Sequence, residues 1–272
     1  MIDSHTHLQF KAFEGKVAEI IQSAKNVGIE KMIVVGTNLE TSKKAIDLAE
    51  KYDELYAAIG IHPHHVFPFV GTDNALEAIS ELESLINNPK VIAIGETGLD
   101  RHIYEKTHYQ NYIISKEFID LQKLFFKEQI KLAIKHQKPL IIHNRETVPE
   151  LLEILEANWD PFLEQRSVFH CCEPDQKILD FALKHQVFIG IDGDITYDSE
   201  KQDFLKRLPL DLLVLETDSP YFIPEPLKSA GTSLNQPANL EIIANFIANL
   251  KNEPIENVRN LSSTNGHILF KL

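Results

Sequence analysis

Leu212-Leu213-Val214-Leu215 is apolar at four consecutive positions and passes at once into Glu216-Thr217-Asp218-Ser219-Pro220. Successive side chains of a strand point to opposite faces, so a strand apolar at every position has to be covered on both. A parallel sheet buried under helices meets that demand, whereas an antiparallel sheet with one wet face would alternate apolar and polar residues. Ile33-Val34-Val35 reads the same way. Working outward, one unit recurs: a short apolar run, a loop rich in His, Asp, Gly or Asn, then a longer stretch with helical periodicity. Strands are expected at 2–6, 31–35, 55–61, 91–96, 139–143, 167–170, 187–191 and 212–216. Helices are expected at 14–27, 42–52, 74–86, 115–136, 148–157, 175–185 and 200–207, with two more at 237–250 and 254–263. Thr41 or Ser42, Thr72 or Asp73, and Ser115 are the expected caps of the second, third and fourth helices.

Eight strand–helix units predict an α/β (β/α)₈ TIM barrel, and 272 residues sit near that fold's usual length of about 250. A doubly wound open sheet is the structural alternative. No linker, low-complexity tract or internal repeat interrupts the chain, so residues 1–272 read as one domain.

Lys and Arg total 27 against 40 Asp and Glu, a formal net charge of −13. That balance disfavours a protein that coats nucleic acid through a broad basic face. The two cysteines are adjacent, Cys171 and Cys172, and form no disulfide framework. The N-terminus lacks a signal-peptide pattern and no uncharged apolar run is long enough to span a membrane. The expectation is a soluble cytoplasmic protein with no membrane association and no obligate protein partner.

The chemically capable residues collect at one end of the expected strands. His5 and His7 lie on the first, His62 follows the third, Glu96 closes the fourth, His143 the fifth and His170 the sixth, and Asp218 lies just past the eighth. In a barrel these C-terminal ends open on one face, so residues distant in sequence converge there. His5 and His7, at i and i+2, point the same way and can reach one cation. Singly, each residue has an ordinary structural role available: a polar strand end for the histidines, a cap for Glu96, a turn for Asp218. Together, four imidazoles and two carboxylates at one face suit a divalent cation such as Zn²⁺, Mn²⁺, Co²⁺, Ni²⁺ or Mg²⁺. Six ligands exceed one tetrahedral ion and suit two divalent metal cations sharing a bridging carboxylate.

Asp3-Ser4-His5-Thr6-His7-Leu8, Gly60-Ile61-His62-Pro63-His64, Gly95-Glu96-Thr97-Gly98-Leu99-Asp100, His143-Asn144-Arg145, His170-Cys171 and Glu216-Thr217-Asp218-Ser219-Pro220-Tyr221 together resemble the successive motifs of the TatD family of metal-dependent deoxyribonucleases, within the amidohydrolase superfamily. Asn235-Gln236-Pro237-Ala238-Asn239, Thr264-Asn265 and Leu269-Phe270 resemble its C-terminal signatures, so the likeness covers nearly the whole chain. The resemblance implies that His5, His7, Glu96, His143, His170 and Asp218 are metal ligands, with Glu96 bridging. It implies substrate contacts at His62, His64 and Arg145. Cys172-Glu173-Pro174 stands where the family usually carries a Phe-Ser-Gly-like turn, and Arg101-His102 where aromatic residues are frequent; both departures bear on substrate preference.

The expected activity is exonuclease-type hydrolysis of phosphodiester bonds at DNA ends, and also RNA, by a water that two metals activate, with Asp218 as general base and Glu96 as bridge. Superfamily members that bridge their metals with a carboxylated lysine need it at a strand's C-terminal end, whereas Lys90 and Lys138 stand at strand starts. Two other functional classes are carried forward. One keeps the metal centre on a different bond, as an esterase, lactonase, amidase or aminoacyl-tRNA deacylase. The other is a barrel that merely stores metal, which the open-mouthed ligand set disfavours.

Overall fold

In the computed structural model, which describes residues 1–104, 107 and 109–272, eight strands form one parallel sheet in chain order. They are β1 (Ile2–Thr6), β2 (Lys31–Val35), β3 (Leu55–Ile59), β4 (Val91–Asp100), β5 (Leu140–Arg145), β6 (Ser167–Phe169), β7 (Phe188–Ile191) and β8 (Leu213–Leu215). Between them lie α1 (Val17–Asn26), α2 (Leu39–Lys51), α3 (Ala75–Leu85), α4 (Lys116–Lys135), α5 (Val148–Ala157), α6 (Gln176–His185) and α7 (Ser199–Arg207); α8 (Leu240–Lys251) and α9 (Ile255–Phe270) follow β8. The sheet curls back so that a bridge pairs Thr6 with Ser219, and Asp218 N–H donates to His5 O at 2.9 Å. The result is a TIM barrel rather than an open doubly wound sheet. No helix is long and apolar enough to cross a membrane among the described residues.

Strand alternation explains the core. Met32 and Val34 join the layer between strands and helices, while Ile33 and Val35 point inward with Ala58, Ala93, Ile141, Val168, Phe188 and Val214. Leu269 and Phe270 belong to that inner cluster. Arg166, just ahead of β6, donates to Leu269 O, so the end of α9 packs at the strands' N-terminal rim. The sequence reading stopped this helix at residue 263, and the turns it missed close the bottom of the barrel.

Several boundaries move for local reasons. Helix α2 begins after Asn38, not at Thr41 or Ser42: Asn38 accepts from Thr41 N at 2.9 Å, and Asn38 N donates to Thr41 Oγ1 at 3.0 Å, a reciprocal capping box. Helix α3 follows Asn74 rather than Thr72 or Asp73, and the Thr72 hydroxyl bonds Phe69 O instead. Ser115 caps α4 as expected, accepting from Phe118 N at 3.1 Å. Strand β4 continues past Glu96 to Asp100, paired with β5 through Gly98 and His143. Gly98 permits this because its φ is +152°, and a Cβ there would sit 1.9 Å from His143 O.

Candidate metal centre

His5, in strand β1, and His7, just past its end, lie on one side, with their Nε2 atoms 3.3 Å apart. Glu96, from within β4, reaches between two sets of imidazoles. Its Oε2 lies 3.5 Å from His5 Nε2 and 4.0 Å from His7 Nε2, while its Oε1 lies 2.7 Å from His143 Nδ1, 3.5 Å from His62 Nε2 and 3.7 Å from His170 Nε2. Asp218, just past β8 with φ +46°, directs Oδ1 to within 3.1 Å of His7 Nε2 and 3.7 Å of His5 Nε2. Asp is one of the few residue types that tolerates this left-handed backbone, through its short polar side chain. All six predicted ligands therefore come together at the strands' C-terminal ends.

This donor set fits divalent cations. Two imidazole Nε2 atoms facing each other beside two carboxylates bring several donor atoms onto one point, an arrangement that a shared cation satisfies. His5, His7 and Glu96 form one group of ligand atoms able to hold an ion, Glu96, His143 and His170 another, and His5, His170 and Asp218 a third that overlaps both. The backs of the imidazoles are held as ligands usually are: His7 Nδ1 faces Val35 O at 2.8 Å and His170 Nδ1 faces Glu216 Oε1 at 2.9 Å. His5 Nδ1 is buried without a hydrogen-bond partner among the described residues, and its ring stacks on His170 at 3.5 Å.

Burial alone would raise the Glu96 carboxyl, but the imidazoles around it, His62 and His170 foremost, with hydrogen bonds from His143 and His5, hold it well below the usual range. Burial likewise opposes ionisation of Asp218, and its hydrogen bond with His7 and the His170 charge outweigh that. For His143, burial is outweighed by hydrogen bonds to Asp100 and Glu96, and the pKa rises to about 9. For His170, burial is outweighed by the charges of Glu216 and Glu96, and the pKa rises to about 10. In the metal-free protein these two imidazoles hold protons where cations would otherwise sit. Each pKa is raised above the unfolded value near 6.5, so its contribution to stability is full below that pH and lost as pH rises toward 9 and 10. Chelator-treated protein is thus expected to lose several °C of Tm between pH 6.5 and 10, by differential scanning fluorimetry, and a flat profile would contradict the proton-filled site.

The three expected substrate contacts are placed differently. His62 is buried, and its Nδ1 accepts from His64 N at 3.0 Å, which leaves the proton on Nε2 and aims a donor at the centre. Burial, then the neighbouring His143 charge, lowers its pKa well below the ordinary value, so this donor is neutral. His64 lines the cavity, but its Nε2 is 3.0 Å from Thr107 Oγ1 and its ring packs edge-on to Tyr104. Arg145 lines the same wall, its guanidinium 5.5 Å from the Tyr104 ring centroid.

Sequence reasoning missed Asp100 and Glu216. Asp100, fully buried at the end of β4, lies 3.1 Å from His143 Nε2 and accepts from Tyr104 Oη at 2.7 Å. Glu216 accepts from Cys171 N at 2.6 Å and fills the space beside Gly190, where a Cβ would lie 2.4 Å from its Oε2. The signal was present: Glu216 stands two residues before Asp218, the spacing already used for His5 and His7. Glu216→Gln, which removes the charge orienting His170, is expected to weaken metal binding by about 10-fold to 100-fold in a competitive chelator titration.

Above these residues opens a cavity of about 750 Å³, lined among others by Phe10, His62, Arg145, Glu173, Asp194 and Tyr221. That volume falls within the about 300–1,000 Å³ of ligand clefts.

Residues 2–271 match the family model described as TatD related DNase. The chain is 30% identical over 274 residues to an uncharacterized metal-dependent hydrolase, YabD, of Bacillus subtilis, covering all of this chain and 99% of that one. It is 30% identical over 279 residues to a 3'-5' ssDNA/RNA exonuclease TatD of Edwardsiella piscicida, each covered in full. The crystal structure of YJJV, a TatD homologue from Escherichia coli K12, superposes with a TM-score of 0.84 at 28% identity, covering 100% of this chain and 98% of that one.

Proposed function

Since the chain belongs to the TatD-related DNase family of metal-dependent hydrolases, we propose that it cleaves phosphodiester bonds at the ends of single-stranded DNA, and also RNA, with two divalent cations at the strand ends. The observation that carries this reading is Glu96 between two imidazole sets, with Oε2 toward His5 and His7 and Oε1 toward His143 and His170. His5, His7 and Asp218 would hold one ion, His143 and His170 the other, and Glu96 would span both. Bound there, the cations supply Lewis acidity, easing ionisation of the attacking water and offsetting charge on the phosphate oxygens.

The remaining work falls to the chain. Asp218 is kept ionised by its neighbours and accepts the proton of the attacking water. His62, whose backbone contact fixes the proton on Nε2, donates to a non-bridging phosphate oxygen and orients it for in-line attack. Arg145 sits on the same wall as a further phosphate donor. The barrel floor, closed by Leu269 and Phe270, leaves substrate to enter from the strands' C-terminal side.

Residues 1–272 then act as one catalytic domain, and the −13 charge limits how it binds rather than what. Few phosphates are neutralised, so the slope of log affinity against log salt is expected to be shallow, about −2, and a steep slope would point to a long basic groove instead. The second reading, an esterase, lactonase, amidase or aminoacyl-tRNA deacylase on the same centre, is favoured by the acidic rim of Glu173, Asp194, Asp198 and Glu200. Metal-loaded protein given linear single strands, circular single strands and a panel of esters, lactones and amides separates the two. Nucleotide release from linear strands alone supports the proposal; turnover confined to the small molecules replaces it.

A further inference from the structure

Two aromatic rings at the mouth of the cavity have no part in the reaction above. Phe10 follows β1 and Tyr221 follows β8, so the two segments are neighbours where the sheet closes between Thr6 and Ser219. Phe10 lies flat on His7, with ring centroids 4.6 Å apart and planes 5° from parallel. Tyr221 stands steeply to both, 6.2 Å from His7 at 69° and 6.4 Å from Phe10 at 73°. Phe10 thus backs a candidate metal ligand, whereas Tyr221 is 50% exposed. Its backbone is nonetheless fixed, since Tyr221 N donates to Asp218 O at 2.8 Å. A single exposed apolar side chain is ordinary on a protein surface. This one instead lines the cavity beside Phe10 and the candidate ligands His7 and Asp218.

The two rings make a corner that suits a flat π-face. Aromatic groups prefer offset stacking or an edge-to-face approach, so a planar ring laid on Tyr221 meets Phe10 edge to face. A nucleobase is such a group, and every base has the face required. The order of the strands says which nucleotide it belongs to. They run in chain order around the barrel, so β5, with Arg145 at its end, stands across from the seam between β8 and β1. A strand cut over the centre then has one nucleoside toward Tyr221 and its next phosphate toward Arg145. Past β7, the neighbour of β8 on its other side, the cavity is lined by Asp198 and Glu200. Those carboxylates repel a further phosphate, and a strand end carries none.

We infer that Tyr221, with Phe10 beside it, stacks the base of the terminal nucleotide, on the side of the metal centre away from Arg145. The inference rests on the nuclease reading and deepens it by naming what holds the nucleotide being released. Such a platform is indifferent to which base is present but depends on there being one.

The test uses metal-loaded protein and single strands of one sequence whose last nucleotide, at the 3' or the 5' end, either carries its base or is abasic. At the end from which it degrades, wild-type protein is expected to favour the base-carrying strand by about 5-fold to 100-fold in kcat/KM. Tyr221→Leu is expected to bring the base-carrying strand down to the rate of the abasic one, and Tyr221→Phe to keep the discrimination. Circular dichroism and bound metal are measured alongside. Equal wild-type rates on base-carrying and abasic strands at both ends overturn the inference without any variant. A Tyr221→Leu protein that loses rate equally on both strands also overturns it, since that is what a purely structural ring would do, and so does one that keeps the full discrimination. If no strand is cut with any ion, the nuclease reading falls and this inference with it; strands cut without regard to the terminal base remove this inference alone.

Discussion

Glu96→Ala is expected to lower turnover by on the order of 10³ or more and to reduce bound divalent metal from two equivalents to one or fewer. The size follows from position. One carboxylate faces five imidazoles, with Oε1 2.7 Å from His143 and Oε2 3.5 Å from His5, whereas Asp218 faces three: His5, His7 and, at 4.0 Å, His170. Truncation would leave His143 paired through Nε2 with Asp100 alone, and His5 and His7 with Asp218. Metal analysis of the dialysed variant beside its initial rate reads both parts. Wild-type metal content with wild-type turnover would show that the ions, if present, do not share Glu96.

Asp218→Asn is expected to cost about 10²-fold to 10⁴-fold in kcat, the usual worth of a positioned general base. The amide keeps the shape and tolerates the left-handed backbone at φ +46°, so the loss reports the carboxylate's charge, in proton acceptance and in metal binding, rather than misfolding, and metal analysis of the variant separates the two. The carboxyl is held ionised in the folded protein by His7 and His170, so it is already available as a base on the acid side of neutrality. With metal saturating, the wild-type acid limb set by loss of the ionised carboxylate should therefore lie below about pH 6.5. A variant with undiminished kcat would move the base to another residue.

The barrel was legible because its evidence is local. The apolar run at 212–215 reads as a strand covered on both faces, and the strand indeed occupies Leu213–Leu215, with Leu212 ending the turn before it; repeating that reading along the chain leaves few architectures. The six candidate ligands were legible for a related reason: polar residues that end apolar strands all open onto one rim. What escaped was set by tertiary contact. Thr41 looks like a cap, but its hydroxyl answers Asn38 in a capping box that starts the helix earlier. Glu96 looks like the end of a strand, yet Gly98 lets β4 run on beside β5 to Asp100. Asp100, Glu216 and Lys201 look like ordinary surface charges, and only the barrel's closure shows them buried against His143, His170 and Asp194.

The central claim is that the strand-end cluster hydrolyses phosphodiester bonds through bound divalent metal. The most direct measurement strips the protein with chelator, restores Zn²⁺, Mn²⁺, Co²⁺, Ni²⁺ or Mg²⁺ one at a time, and follows nucleotide release from end-labelled single-stranded DNA. The account predicts no release from the stripped protein and stepwise shortening from one end once a suitable ion returns. Release that persists without metal, or no release with any ion, would contradict it.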